Sequence, residues 1–202
     1  ADVGLSPYSE DGHSTVMNDG EIDYEKSYEL ASRLAIAFAQ AGADYIAPCL
    51  SLHKQVKILR EALDKNECQK TKIMAYSSKF SSTLYGPYRA TIQSPLKGKD
   101  KKYYQTDYSN PKEALAQIVA DEEQGANIVM VKPAMFYLDI VFQARQMTKL
   151  PLAVYHVSGE YSMLKEGAKT GILDEAEIFD EVHSGFKRCE VDYVIGYAPD
   201  HF

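Results

Sequence analysis

The strongest constraint on how this chain can fold is a regular alternation of short apolar runs with amphipathic stretches. Apolar runs with strand character occur at 2–8, 44–47, 72–76, 128–131, 152–156 and 192–195. Helical spacing occurs between them, at 24–40, 54–64, 111–124, 137–147, 160–169 and 174–187. In the first helix Leu30, Leu34, Phe38 and Ala41 make one stripe, and Gly42 ends it. The third starts with agreeing signals: Asn110 as cap, Pro111 at the first position and Glu113 at the third. Alternating strand and helix imply a parallel sheet with right-handed crossovers, either doubly wound or a β/α barrel. A closed barrel needs eight strands. Six leave two unpaired edges, and a chain opening Ala1-Asp2-Val3-Gly4 reads as the middle of a longer one, with two strands still to be supplied.

The 202 residues are 45% hydrophobic and 25% charged, an ordinary globular composition with room for one sizeable core. A net charge of −7 argues against a nucleic-acid surface, and no window has the apolar length of a membrane span. Cys49, Cys68 and Cys189 are odd in number and lack CxxC spacing, which suits a reducing compartment rather than a disulfide framework or a cysteine zinc cage. The expected location is cytoplasmic, with a plastid or other organelle also compatible. The stretch 77–108 has no clear periodicity and carries the basic cluster Lys97, Lys99, Lys101 and Lys102; loops of that length are usually lids or disordered.

Polar residues fall just after five successive strands: Cys49, Lys79, Lys132, Ser158 and Tyr197. In parallel α/β proteins that face builds sites. Lys132 ends the run Ile128-Val129-Met130-Val131 and is followed by Pro133. A buried lysine loses charge readily and becomes a Schiff-base nucleophile, whereas an ordinary strand-end lysine reaches out to solvent. Lys79 follows the neighbouring strand, and two ammonium groups held close push at least one amine toward neutrality.

Three motifs in order give a family resemblance: Tyr76-Ser77-Ser78-Lys79-Phe80 with Tyr85-Gly86-Pro87-Tyr88-Arg89; Met130-Val131-Lys132-Pro133 with Tyr137-Leu138-Asp139; and Val154-Tyr155-His156-Val157-Ser158-Gly159-Glu160-Tyr161. Together they resemble the 5-aminolevulinate dehydratase (porphobilinogen synthase) family, over the C-terminal two-thirds of a member. The resemblance implies an α/β fold of the TIM-type (β/α)8 barrel, with about six of the eight strands in one partial domain over 1–202. It implies a homo-oligomer, an octamer in the family, that condenses two 5-aminolevulinate molecules to porphobilinogen in tetrapyrrole and haem biosynthesis. By resemblance Lys79 and Lys132 form the Schiff bases. Arg89, Lys101 and Gln105 hold one substrate carboxylate, and Ser158 and Tyr197 hold the other.

The chain departs from the family's pattern at two places. Members using zinc carry three cysteines, others aspartates, where this chain has Gly4, Ser6 and Ser14, so no tight zinc site is expected; His13 reads as a loop-packing residue. After Pro48 the usual Ser-Asp pair is Cys49-Leu50, which removes a strand-end carboxylate beside the lysines. A glutamate binding accessory magnesium in some members falls on Gln117. These losses leave a second expectation open: an impaired relative that binds or regulates an intact synthase.

Overall fold

The computed structural model describes residues 1–94, 96 and 101–201; Lys97 and Lys99 of the basic cluster lie outside them. Six strands form one parallel sheet: β1 (Asp2–Val3), β4 (Tyr45–Pro48), β5 (Lys72–Lys79), β6 (Ile128–Lys132), β7 (Leu152–Tyr155) and β8 (Tyr193–Ile195), paired in that order. The helices α1 (Tyr24–Gln40), α2 (Gln55–Lys65), α4 (Pro111–Glu123), α5 (Leu138–Met147), α6 (Ser158–Lys169) and α7 (Glu175–Arg188) connect them. The sheet is the open part of a barrel, with β1 and β8 as its two edges.

The two faces of the sheet are filled differently. Val3, Ile46, Ile73, Val129, Val131 and Val154 face the helices in the main core. Cys49, Tyr76, Ile128, Met130 and Ala153 form a smaller cluster, with Tyr155 packed against it, on the opposite, concave face. This is the period-2 alternation of strands buried on both sides. In α1 the fully buried residues are Ser27, Ala31 and Ala35, while the expected stripe of Leu30, Leu34 and Phe38 is only partly buried along its flank. Small side chains let the helix axis approach the sheet, and the larger ones fill the grooves beside it.

The boundaries correct the sequence reading in three places. The strand expected over 2–8 stops at Val3, because the chain turns at Pro7 with Tyr8 N–H donating to the Leu5 carbonyl at 2.9 Å. The loop after it contains an unexpected hairpin, β2 (Val16–Asn18) with β3 (Glu21–Asp23). Its two-residue turn is Asp19-Gly20, both at positive φ (50° and 87°). Asp-Gly between strands is a strong hairpin signal that was present in the sequence. The stretch from 77 is not structureless: β5 continues through Lys79, then a 3-10 turn (Thr83–Tyr85) leads into a short helix α3 (Gly86–Thr91).

The most consequential irregularity lies in β5. Ala75 pairs with Val129, but Ser78 pairs with Val131 and Lys79 with Lys132, so β5 carries one extra residue. Such a bulge reverses the alternation beyond it. Without it, Lys79 would share the outer face with Ala75. With it, Ser78 turns outward, donating to the Ala114 carbonyl at 2.7 Å, and Lys79 turns inward beside Lys132. Deleting Ser77 removes the extra residue and leaves regular alternation, so Lys79 is expected to stay inward opposite Lys132. Mass-spectrometric lysine footprinting then finds Lys79 protected by cavity ligands to within about twofold of the wild type.

Candidate active site

The concave face and the loops beyond the strand ends enclose a cavity of about 340 Å³. Lys79, Lys132, Arg89, Lys101, Gln105, Ser158 and Tyr197 all line it, as do Gly4, Ser6 and Ser14. The residues singled out from sequence thus converge on one space, drawn from four strand ends and the segments after β5. Lys79, Arg89, Lys101 and Lys132 are the cationic residues of that lining and Asp2 the acidic one among the described residues, so the cavity suits an anionic ligand.

Lys132 ends β6, half-buried, and its peptide bond to Pro133 is cis. Its Nζ lies 3.9 Å from the ring centre of Tyr155, 4.8 Å from that of Tyr76 and 5.7 Å from that of Tyr85. Burial, then the charge of Lys79, lowers its pKa to about 8. About a tenth is therefore free amine at pH 7, far more than for an ordinary lysine, and the aromatic faces favour a cation that re-forms there, ammonium or iminium. Lys79 is buried and donates to the Cys49 carbonyl at 2.5 Å, which aims its Nζ across the concave face. The Cys49 thiol is pushed up to about 12 by burial, so it stays protonated and is not a nucleophile.

The loop residues form two groups. Arg89, in the last turn of α3, lies over the Tyr85 ring at 5.8 Å. Ser158 opens α6, and its Oγ accepts from the Tyr88 N–H at 3.1 Å, which closes α3 onto the cavity. Gly159 makes that approach possible: a Cβ there would stand 2.7 Å from the Leu84 Cα. Tyr197 packs its ring 5.9 Å from Tyr161. Gln105 is buried with its Oε1 unpartnered, an acceptor or a water site facing the cavity.

The positions where family members hold a metal carry a different cation. The Lys101 ammonium donates to Ser14 Oγ at 2.9 Å and to Ser6 Oγ at 3.1 Å, and the two hydroxyls lie 2.9 Å apart. Gly4 offers no donor, and a Cβ there would meet Cys49 Sγ at 2.6 Å. Neutral hydroxyls already holding an ammonium do not fit zinc. Burial, then Lys79, lowers the Lys101 pKa to about 7. His13 is within 3.2 Å of the Tyr104 hydroxyl and packs against Tyr103 and Tyr104, a loop role. Gln117 is engaged by His53 at 2.9 Å and Asp121 at 2.7 Å.

Sequence reasoning missed two kinds of residue. Leu50 is fully buried in the core, yet a carboxylate still faces the lysines: Asp2 lines the cavity. Strand alternation from Gly4 would have placed Asp2 on the same face. Tyr76, Tyr85 and Tyr155 around Lys132 were quoted as motif letters without their role as an aromatic wall. If Lys79 depresses its neighbour as described, Lys79→Met raises the Lys132 pKa by about one unit. The pH dependence of Lys132 acylation, followed by peptide mass spectrometry, then moves its midpoint upward from about 8.

A family model described as delta-aminolevulinic acid dehydratase matches residues 1–202. Relatives of that name include one from Helicobacter pylori, 42% identical over 197 residues (98% of this chain, 61% of the relative), and one from Archaeoglobus fulgidus, 43% identical over 196 residues (97% and 61%). A chloroplastic relative from Chlamydomonas reinhardtii is 41% identical over 97% of this chain and 53% of its own. The crystal structure of the Toxoplasma gondii enzyme in complex with its reaction product porphobilinogen superimposes with a TM-score of 0.95 at 42% identity, covering 98% of this chain and 57% of that one. The chain spans about three-fifths of the length of the curated relatives it matches. With its whole described length matched in sequence and fold, the chain belongs to the delta-aminolevulinic acid dehydratase family.

Proposed function

We propose that the protein carrying this chain is a porphobilinogen synthase, a hydro-lyase that condenses two molecules of 5-aminolevulinate. The observation that carries the reading is the pairing of Lys79 with Lys132 on one face of adjacent strands. Each free amine attacks a substrate ketone, forms the C=N bond of a Schiff base and releases the ketone oxygen as water. The iminium withdraws electrons from the adjacent carbon, which loses a proton to give an enamine. The enamine carbon then forms the new C–C bond with the iminium carbon of the second substrate; elimination releases one lysine amine, attack of a substrate amino group on the other C=N carbon displaces the second lysine, and loss of a ring proton gives the aromatic product. Lys132, with its pKa near 8, is the nucleophile that is ready at neutral pH. Asp2 is a carboxylate within the cavity suited to accept the proton.

The remaining roles follow from charge and position. Arg89 and Lys101 attract one carboxylate and Gln105 orients it; Ser158 and Tyr197 hydrogen-bond the other. No metal is assigned a step, since Gly4, Ser6 and Ser14 do not suit one. The same reading makes 1–202 one partial barrel domain of a homo-oligomer. Three free cysteines suit a cytoplasmic or plastid location, and no described helix is long and apolar enough to cross a membrane.

Incubation with 5-aminolevulinate and borohydride is expected to leave a reduced adduct on Lys132, with a rate that rises with pH through about 8 and then levels. Absence of an adduct on both Lys132 and Lys79 excludes the imine mechanism. Leu50 and the altered metal positions favour a second reading, a binding subunit without turnover. Porphobilinogen formation that disappears in Lys132→Met excludes that one. Arg89→Ala is expected to raise KM at least about tenfold with a smaller change in kcat, since it removes a binding contact common to ground and transition states.

A further inference from the structure

Glu160 is a carboxylate with no exposed surface, on the first turn of α6, and no motif role was assigned to it. Its Oε1 accepts from the Met135 N–H at 2.6 Å and the Ala134 N–H at 3.1 Å, and its Oε2 accepts from the Val157 N–H at 2.6 Å. A helix cap would need only the last of these. The other two reach the loop after β6, directly beyond Lys132 and Pro133, while Val157 immediately precedes Ser158. One side chain thus ties together the loop behind the amine and the loop that carries a substrate hydroxyl. The carbonyl of Lys132 is held separately, by the Phe80 N–H at 2.8 Å and the Tyr85 hydroxyl at 3.3 Å.

We infer that Glu160 is a positioning residue for the Schiff-base chemistry, fixing Lys132 relative to Ser158 and presenting negative charge behind the amine. Three hydrogen bonds to one buried carboxylate demand its ionised form, which accepts on both oxygens; a protonated acid or an amide loses one acceptor. The groups facing it are Lys132 on β6, Tyr85 before α3 and Tyr137 before α5. Burial opposes the charge while the three amides and Lys132 support it, so that Glu160 titrates near 7, close to where Lys132 does. Ionised Glu160 favours the cationic form of Lys132, and by the same attraction the iminium that replaces it.

The inference rests on Lys132 being the imine-forming residue, and the test separates the two. Wild type, Glu160→Gln and Glu160→Asp are compared by borohydride trapping of 5-aminolevulinate across pH 6–10, with circular dichroism and thermal melting as controls. Glu160→Gln is expected to lower the plateau trapping rate at Lys132 at least about tenfold and to shift the pH midpoint downward by roughly half a unit, since the neighbouring negative charge is lost. Glu160→Asp keeps the charge with a shorter reach: its plateau falls and its midpoint stays. A purely structural role would lower the plateau in Glu160→Gln and leave the midpoint, which overturns the inference. So does a plateau within twofold of wild type. If Glu160→Gln does not fold, Glu160→Asp decides: a fall in trapping at Lys132 that Lys79 does not share supports the inference, and a wild-type plateau or an equal fall at both lysines overturns it. Failure of the wild type to trap at Lys132 overturns the proposed function instead.

Discussion

Holding two lysine amines side by side in a low-dielectric cavity is the constraint on which the rest of this structure depends. Among the described residues neither amine has a carboxylate within salt-bridge distance, and Asp2 and Glu160 act on Lys132 only through space. Lys79 has the Cys49 carbonyl, and Lys132 has three tyrosine rings. The Lys132 cation costs more there than it would in water, and the charge of Lys79 adds to that cost. The backbone bears the burden of keeping them together. A single extra residue in β5 brings Lys79 into register with Lys132, and parallel pairing with β6 locks that register. The outward turn of Ser78 toward the Ala114 carbonyl ties the bulge to α4, so the helical layer helps to set the chemistry of the opposite face.

The loops beyond the strands form a second level of support. Ser158 accepts from the lid backbone, Gly159 lets the lid approach, and Glu160 collects amides from two strand-end loops; these three consecutive residues each serve a different neighbour. The first turn of α6 is therefore a junction between the α3 lid, the lysine loop and the cavity. The Ser158 hydroxyl accepts from the Tyr88 N–H, which leaves its own proton free to be donated to an acceptor in the cavity.

Much of this was legible in the chain. The helix limit at Asn110-Pro111 followed from a cap that the structure shows in place, with Asn110 accepting from Glu113, whereas the start near Asp174 followed from apolar spacing and Asp174 caps it by accepting from Glu177. The pairing of Lys79 with Lys132 followed from apolar runs and from family motifs, and the cavity gathers every residue those motifs nominated. What stayed hidden has identifiable physical causes. A bulge leaves no periodic trace, so the inward turn of Lys79 depended on pairing that local sequence does not encode. A six-residue helix such as α3 is too short to show a stripe. Glu160 looked like any helix-start glutamate, because its partners Ala134 and Met135 come from a loop some 25 residues away. Asp2 alternates with Gly4, so its place on the concave face was readable in the sequence.

The replacement of sulfur donors by Gly4, Ser6 and Ser14 also changes the redox character of the site. Cysteine reacts with oxidants and with soft metal ions as its thiolate. Among the described lining residues the one thiol is Cys49, packed against Gly4 and held protonated far above neutral pH. Lys101 places a covalently held amine, rather than an exchangeable ion, at the same serines. Among the described residues the cavity therefore offers no thiolate near neutral pH to peroxide or to thiol-seeking ions.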